Sequence, residues 1–103
     1  MAAALIPATR VVHCRDPHDV YIARANATRR VRRSIWGNPF RIGPDGSRED
    51  VVSLFLTWLL EPGQARLRSQ LPTLRGKTLG CWCEPELCHG HVLAALCEEQ
   101  RND

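Results

Sequence analysis

Three of the chain's five cysteines and two of its four histidines fall within the twelve residues Gly80-Cys-Trp-Cys-Glu-Pro-Glu-Leu-Cys-His-Gly-His91. Thiolate and imidazole serve both as metal ligands and as nucleophile or base near neutral pH. As a metal site, the run pairs Cys81 with Cys83, two apart and so on one face of a strand. It pairs Cys88 with His91, three apart and so on one face of a helical turn. Together Cys81, Cys83, Cys88 and His91 make a candidate Cys3His zinc set. Structural zinc supplies an apparent binding energy of about 10–16 kcal/mol, which matters in a small domain. Against this stands the spacing, Cys-x-Cys in place of the usual Cys-x2-Cys.

The same residues read equally well as a reactive thiol. Cys88 falls at a predicted helix start, where free N–H groups and the helix dipole favour a thiolate. His89 and His91 are candidate bases or acids, and Cys88 with His89 is the candidate catalytic pair. Gly90 admits close backbone approach, as an anion bound at a helix start needs. The plainest alternative treats the thiols as small buried hydrophobes. Cys97, on the apolar face of the last predicted helix, reads as core, and Cys14 as core or site.

The elements around the cluster must position it. Lys77–Trp82 reads as a short buried strand and Val92–Gln100 as a helix, so the cluster occupies a strand-to-helix turn. Ligands of α/β proteins bind at such turns. Upstream, Thr9–Cys14 and Val20–Ala23 read as strands around an Asp16-Pro-His-Asp19 turn, which predicts a hairpin. Ser47-x-x-Asp50 opens a helix as a near-capping box. Val51, Val52, Phe55, Trp58 and Leu59 recur at helical spacing, with Leu54 and Leu56 widening the stripe. Pro62-Gly63 ends it, and Gln64–Leu71 predicts another short helix before Pro72.

The order is β-β-α-α-β-α. It predicts a small α/β or α+β domain of two or three layers, a short mixed sheet of about three strands with packed helices. The first and last strands are expected as parallel neighbours, bringing His13 and Cys14 close to Cys81 and Cys83. At 103 residues the chain suits one domain, 1–103, with residues 1–8 and 101–103 expected to fray.

Net charge is +3, and thirteen of the fourteen basic residues are Arg. Arg24, Arg29, Arg30, Arg32 and Arg33 fall within ten residues with no acidic residue between them. Residues 25–34 read as a basic surface loop, either a solvated face or a binder of nucleotide or nucleic-acid phosphate. Trp36-Gly-Asn-Pro-Phe40 is a tight turn between aromatics. Trp36 is the candidate for stacking on a ligand, Asn38 for reading a base edge or hydroxyl, and Phe40 for core. Arg24 and His13 complete the candidate ligand contacts.

No apolar run approaches the roughly 20 residues of a membrane span. Neither a secretory leader nor a spread disulfide framework is seen, so the expectation is cytoplasmic. Neither a dinucleotide nor a Walker phosphate loop is present, and no Ser-His-Asp order stands out.

Three stretches resemble a known family, domain of unknown function 4326, small proteins of bacteria and their phages. They are Val11-Val-His-Cys-Arg-Asp-Pro-His-Asp-Val-Tyr-Ile-Ala-Arg24, Ile35-Trp-Gly-Asn-Pro-Phe-Arg-Ile-Gly43, and Leu74-Arg-Gly-Lys-Thr-Leu-Gly-Cys-Trp-Cys-Glu-Pro-Glu-Leu-Cys-His-Gly-His91. The chain departs from the family pattern in three places. Ala23 stands for a usual Gly, the stretch from Ala25 to Ser34 is longer, and His91 stands where Asp is frequent. The last departure shifts weight to Cys81, Cys83, Cys88 and His89. The resemblance implies that Arg24, the Trp-Gly-Asn-Pro turn and the Cys-His-Gly turn meet around one pocket.

Two function classes follow. One is a domain binding a phosphate-bearing ligand, a nucleotide or nucleic-acid derivative, at the strand ends, acting through a Cys thiolate or bound metal. The other is a non-catalytic zinc-stabilised module for nucleic acid or a protein partner, such as a phage or bacterial interaction protein.

Overall fold

The computed structural model describes residues 8–27 and 30–101, and side chains through Glu99. The expectations for residues 1–7, 102 and 103, and for Arg29 of the basic loop, lie outside the described residues.

The sheet has three strands, β1 (Arg10–His13), β2 (Val20–Tyr21) and β3 (Thr78–Cys81), in the order β1-β3-β2. The expected parallel neighbours are found: Val11 lies opposite Leu79 and His13 opposite Cys81. Cys14 N–H donates to the Cys81 carbonyl at 2.9 Å.

The predicted hairpin is not formed. β2 pairs in parallel with the other edge of β3, Val20 opposite Leu79, so the sheet is parallel rather than mixed. The chain between β1 and β2 instead crosses over β3. Parallel strands ordinarily need a crossover of a dozen or more residues, and here residues 14–19 suffice for a local reason. Gly80, at the middle of β3, lacks a side chain, and the His18 ring lies where a Cβ would be. A Cβ built on Gly80 would stand 2.6 Å from His18 Cδ2 and Cγ. Asp19 fastens the far end, its N–H donating to the Thr78 carbonyl and its carboxylate accepting from the Thr78 N–H, both at 2.8 Å.

The other face of the sheet carries Val11 and Leu79, and α3 (His89–Arg101) packs there. α1 (Arg48–Leu59) lies alongside α3. Its start is the full capping box: Ser47 Oγ accepts from Asp50 N–H at 3.2 Å and the Asp50 carboxylate from Ser47 N–H at 2.9 Å. This bonding holds the Asp50 carboxyl below the ordinary range. Val51, Val52, Phe55 and Leu59 are its buried residues. Leu54 and Leu56, expected to widen the stripe, are exposed, because 100° per residue carries them off that face.

The second predicted helix is a single turn, α2 (Ala65–Arg68), between 3-10 turns at Pro62–Gln64 and Leu71–Leu74. Leu71 and Leu74 lie in the core with Ile22, Phe55, Leu59, Leu79, Leu93 and Cys97. The architecture is thus mixed α/β, close to the expected order. No helix among the described residues is long and apolar enough to cross a membrane.

Candidate functional site: a cleft at the carboxyl ends of the strands

β3 ends at Cys81, residues 82–88 form a turn, and α3 starts at His89. The turn leaves the sheet and returns over the helix start, so Cys81 and Cys88 come together from its two ends. Strand alternation places Cys81 on the core side with Leu79, and Gly80 on the side covered by His18. Cys81, Cys88 and His89 are all buried, and their ligand atoms lie within 4.8 Å of one another. Cys83, half-buried, lies beside Cys81.

The start of α3 is capped in an unusual way. Cys88 Sγ accepts from the Gly90 N–H at 3.3 Å, and His91 Nδ1 accepts from the Cys88 N–H at 3.0 Å. The pair is reciprocal like a capping box, with imidazole in place of carboxylate, but the sulfur accepts from the second helical N–H rather than the third. Because His91 Nδ1 accepts, its proton sits on Nε2, which donates to Glu84 Oε2 at 2.9 Å. Both ring nitrogens of His91 are therefore occupied away from the thiols. The structure brings Cys81, Cys88 and His89 together, with Cys83 adjacent to Cys81, and holds His91 apart.

The three thiols differ in their affinity for a proton. Cys81 donates to Cys88, and this bond, helped by the Gly90 and His91 N–H groups, holds the Cys88 thiol below its ordinary value despite burial. Cys81 accepts from Cys83, which lowers its pKa, but donation to Cys88, burial and the Cys88 charge outweigh this and push it up to about 11. Cys83 is pushed up further by donating to Cys81 and by burial, against the pull of Arg48. Of the three, Cys88 is the thiol held below its ordinary pKa, while Cys81 and Cys83 are both pushed up.

His89 is anchored. Its Nε2–H donates to the Ile22 carbonyl at 2.7 Å, and its ring meets Phe55 edge-on at 5.0 Å. Burial holds it below the ordinary imidazole pKa, outweighing the Ile22 and Trp36 carbonyls beside it. In the neutral ring so held, Nδ1 keeps its lone pair.

These groups floor a cleft of about 280 Å³. Val51 and Val52 of α1, Trp82, Phe40 and Ile42 supply apolar walls, and Arg24 and Arg48 stand on its rim. Arg24 Nη2 donates to the Asn38 carbonyl at 3.2 Å and to that of Phe40 at 2.7 Å. Arg48 Nη1 donates to the Leu87 carbonyl at 3.3 Å. Each guanidinium carries five N–H donors, so both keep capacity for an anion.

Arg24, Asn38, Cys88 and His89 thus meet at one cleft, together with Cys81 and Cys83. Asn38 is occupied in shaping the rim: its side-chain N–H donates to the Val51 carbonyl and its oxygen accepts from the Phe40 N–H, both at 3.0 Å. Trp36 is 4% exposed and belongs to the core, while Phe40, assigned to the core on sequence grounds, lines the cleft. His13 stacks edge-on against Trp82 at 5.6 Å and its Nδ1 accepts from the Arg15 N–H, outside the cleft lining. Cys14 and Cys97 are buried, the latter reaching the Leu71 carbonyl at 3.5 Å. Sequence reasoning missed Arg48. Its signal was present, since a basic residue just after Ser47 faces whatever the helix start approaches.

Comparison with known proteins agrees in reach with the fold. The family described as Domain of unknown function (DUF4326) matches residues 9–99. The chain is 39% identical over 69 residues to an uncharacterised 12.4 kDa protein in the nrdA-td intergenic region of Enterobacteria phage T4, covering 63% of this chain and 61% of that one. It is 35% identical over 71 residues to an uncharacterised protein of Acanthamoeba polyphaga mimivirus, covering 61% of this chain and 52% of the other. The match therefore spans under two thirds of either relative. No solved structure matches the chain. The family match, running from just before β1 to nearly the end of α3, shows that the chain belongs to the domain of unknown function 4326 family.

Proposed function

We propose that this protein binds a phosphate-bearing ligand of the nucleotide class in the cleft at the strand ends and acts on it through the Cys88 thiolate. One observation carries this reading. The thiol held below its ordinary pKa floors a mainly apolar cleft whose rim carries two arginines. An apolar body with a few convergent charged groups is the usual form of a small-molecule site. The guanidinium fork suits phosphate oxygens, and the aromatic edges of Phe40 and Trp82 suit a flat heterocycle.

In the reaction, Cys88 Sγ gives its electron pair to an electrophilic centre of the ligand. The leaving group departs with the pair of the broken bond, and water, giving its proton to His89, then attacks the adduct and displaces Cys88 as the thiolate. Cys81 steadies the thiolate by donating its S–H, and His89 is the neutral base beside it. The test is calorimetric titration with a nucleotide panel, followed by product analysis of any binder. Cys88→Ala is expected to keep binding and lose turnover. Undiminished turnover in that variant would sink the catalytic assignment.

A second reading rests on the grouping of Cys81, Cys88 and His89. Two thiolates and an imidazole are a known catalytic zinc set when the fourth position is open, and here it would open onto the cleft. If zinc is instead structural, with Cys83 as fourth ligand, the protein is a zinc-stabilised module for nucleic acid or a protein partner. Metal analysis of protein purified without added metal separates the cases. Zinc whose chelation unfolds the protein is structural, zinc that leaves a folded protein is catalytic, and absence of metal leaves the free thiolate.

A further inference from the structure

A second groove adjoins the cleft and shares Arg24 and Asn38 with it. Its volume is about 340 Å³, and Ala25, Gly37, Pro39, Arg33 and Arg41 complete its lining. No acidic residue lines it. Among the described residues no carboxylate is ion-paired with Arg24, Arg33 or Arg41. The Asp45 carboxylate accepts from the Arg41 backbone N–H at 2.8 Å, which ties down the backbone and not the guanidinium.

The arginines are brought together by a folded segment. Asn26 and Val31 bridge in antiparallel fashion, exchanging N–H bonds at 3.0 and 3.1 Å. The Ser34 N–H then donates to the Ala23 carbonyl at 3.0 Å and the Gly37 N–H to that of Ser34 at 3.1 Å. These bonds return the chain beside Arg24, so Arg33 and Arg24 face one groove although nine positions apart. The Arg24 guanidinium, bonded to the carbonyls of Asn38 and Phe40, stands between the groove and the cleft.

Size and charge together define an occupant. The cleft lies just below the range of roughly 300–1,000 Å³ that whole ligands fill, so it takes one flat apolar group and the rest of the ligand must leave it. The exit past Arg24 leads to two more arginines, Arg33 and Arg41. A single phosphodiester brings one negative charge, whereas a terminal diphosphate brings about three. We infer that the ligand is a nucleoside diphosphate or triphosphate, its base in the cleft and its phosphates in the Arg24–Arg33–Arg41 groove. This inference rests on the nucleotide reading of the cleft and specifies the ligand's length.

The experiment is calorimetric titration of the full chain with AMP, ADP and ATP, the corresponding guanosine, cytidine and uridine nucleotides, and a single-stranded oligonucleotide. The expected result is that, for the preferred base, the diphosphate binds at least tenfold more tightly than the monophosphate. Arg33→Gln/Arg41→Gln is expected to erase that ratio, with thermal melting confirming the fold. Equal affinity for mono- and diphosphate overturns the inference and leaves the nucleotide cleft standing. An oligonucleotide that outcompetes every diphosphate overturns it in favour of nucleic acid. Absence of binding by every nucleotide removes the cleft reading and the inference with it.

Discussion

The Gly90 backbone N–H donates to the Cys88 sulfur at 3.3 Å, and Gly90 is also where α3 presses on the sheet. A Cβ there would stand 2.7 Å from Ile22 Cδ1, 3.1 Å from Val11 Cγ1 and 3.2 Å from that same sulfur. The glycine therefore sets both the seating of the helix and the environment of the Cys88 thiol.

Gly90→Ala is accordingly expected to cost about 1–3 kcal/mol in overpacking. Ile22→Val removes the Cδ1 atom and is expected to recover part of that loss in the double variant. Urea unfolding measures both. A Gly90→Ala protein as stable as the wild type would mean that α3 has room to rise from the sheet.

Cys88 is expected to be the first thiol alkylated by iodoacetamide at neutral pH, because Cys81 and the helix-start N–H groups hold its pKa down. Cys81 and Cys83, both pushed up, stay slow until alkaline pH. Cys81→Ala removes the donor to Cys88 and moves the pH–rate midpoint of Cys88 upward. Peptide mapping of the alkylated protein across pH reads this, and first labelling at Cys83 would contradict this order of the thiols.

Stability is expected to fall on the alkaline side. Cys81 rises from an ordinary 9.0 to about 11 in the folded protein. Between those values the unfolded chain gives up the proton and the folded chain keeps it. The stabilisation is complete below pH 9.0 and is lost as pH rises through about 11, by roughly 2–3 kcal/mol. Cys83 and Cys97, also raised, act in the same direction. Cys88, depressed, acts in the opposite one, adding stability above 9.0 and losing it as pH falls. Urea midpoints across this window should show a shallower fall in Cys81→Ala.

On the acid side His89 governs. Its folded pKa lies below the ordinary 6.5 because it is buried. As pH drops below 6.5 the unfolded chain takes a proton that the folded chain refuses, so stability declines until the folded pKa is passed. His89→Gln removes that titration. The variant is less stable at pH 7 but flatter towards acid, and an unchanged acid slope would place its origin elsewhere.

The crossover loop offers a stability test away from the cleft. Gly80→Ala brings a methyl to 2.6 Å from the His18 ring, and a loss of about 1–3 kcal/mol is expected. His18→Ala in the same chain vacates the space and should recover most of it. Additive losses in the double variant would show that the two positions are not in contact.

Much of this fold could be read from local signals. Ser47 and Asp50 bound α1 because capping is local chemistry, and Pro62 and Pro72 punctuate the chain for the same reason. The thiol-rich turn was legible as a site because its reactive side chains are close in sequence, and the last strand and helix were legible from their apolar runs. The hairpin was misread because two short strands around a Pro-containing turn look alike whether they pair with each other or flank a third. Only the absent side chain at Gly80, opposite His18, distinguishes them, and that contact spans sixty-two positions.

Residue types and spacing alone thus determined that the chain carries a strand–thiol turn–helix unit, an amphipathic capped helix and an arginine-rich segment. Tertiary structure alone decided how the candidates divide. Cys81, Cys88 and His89 converge while His91 is spent on a helix cap and Glu84. Phe40 and Arg48 line the cleft and Trp36 goes to the core. The physical reason is that a strand or helix period tells which residues share a face of one element. Which faces meet depends on packing between elements far apart in the chain, and here Gly80 and Gly90 set it by permitting contacts that any side chain would block.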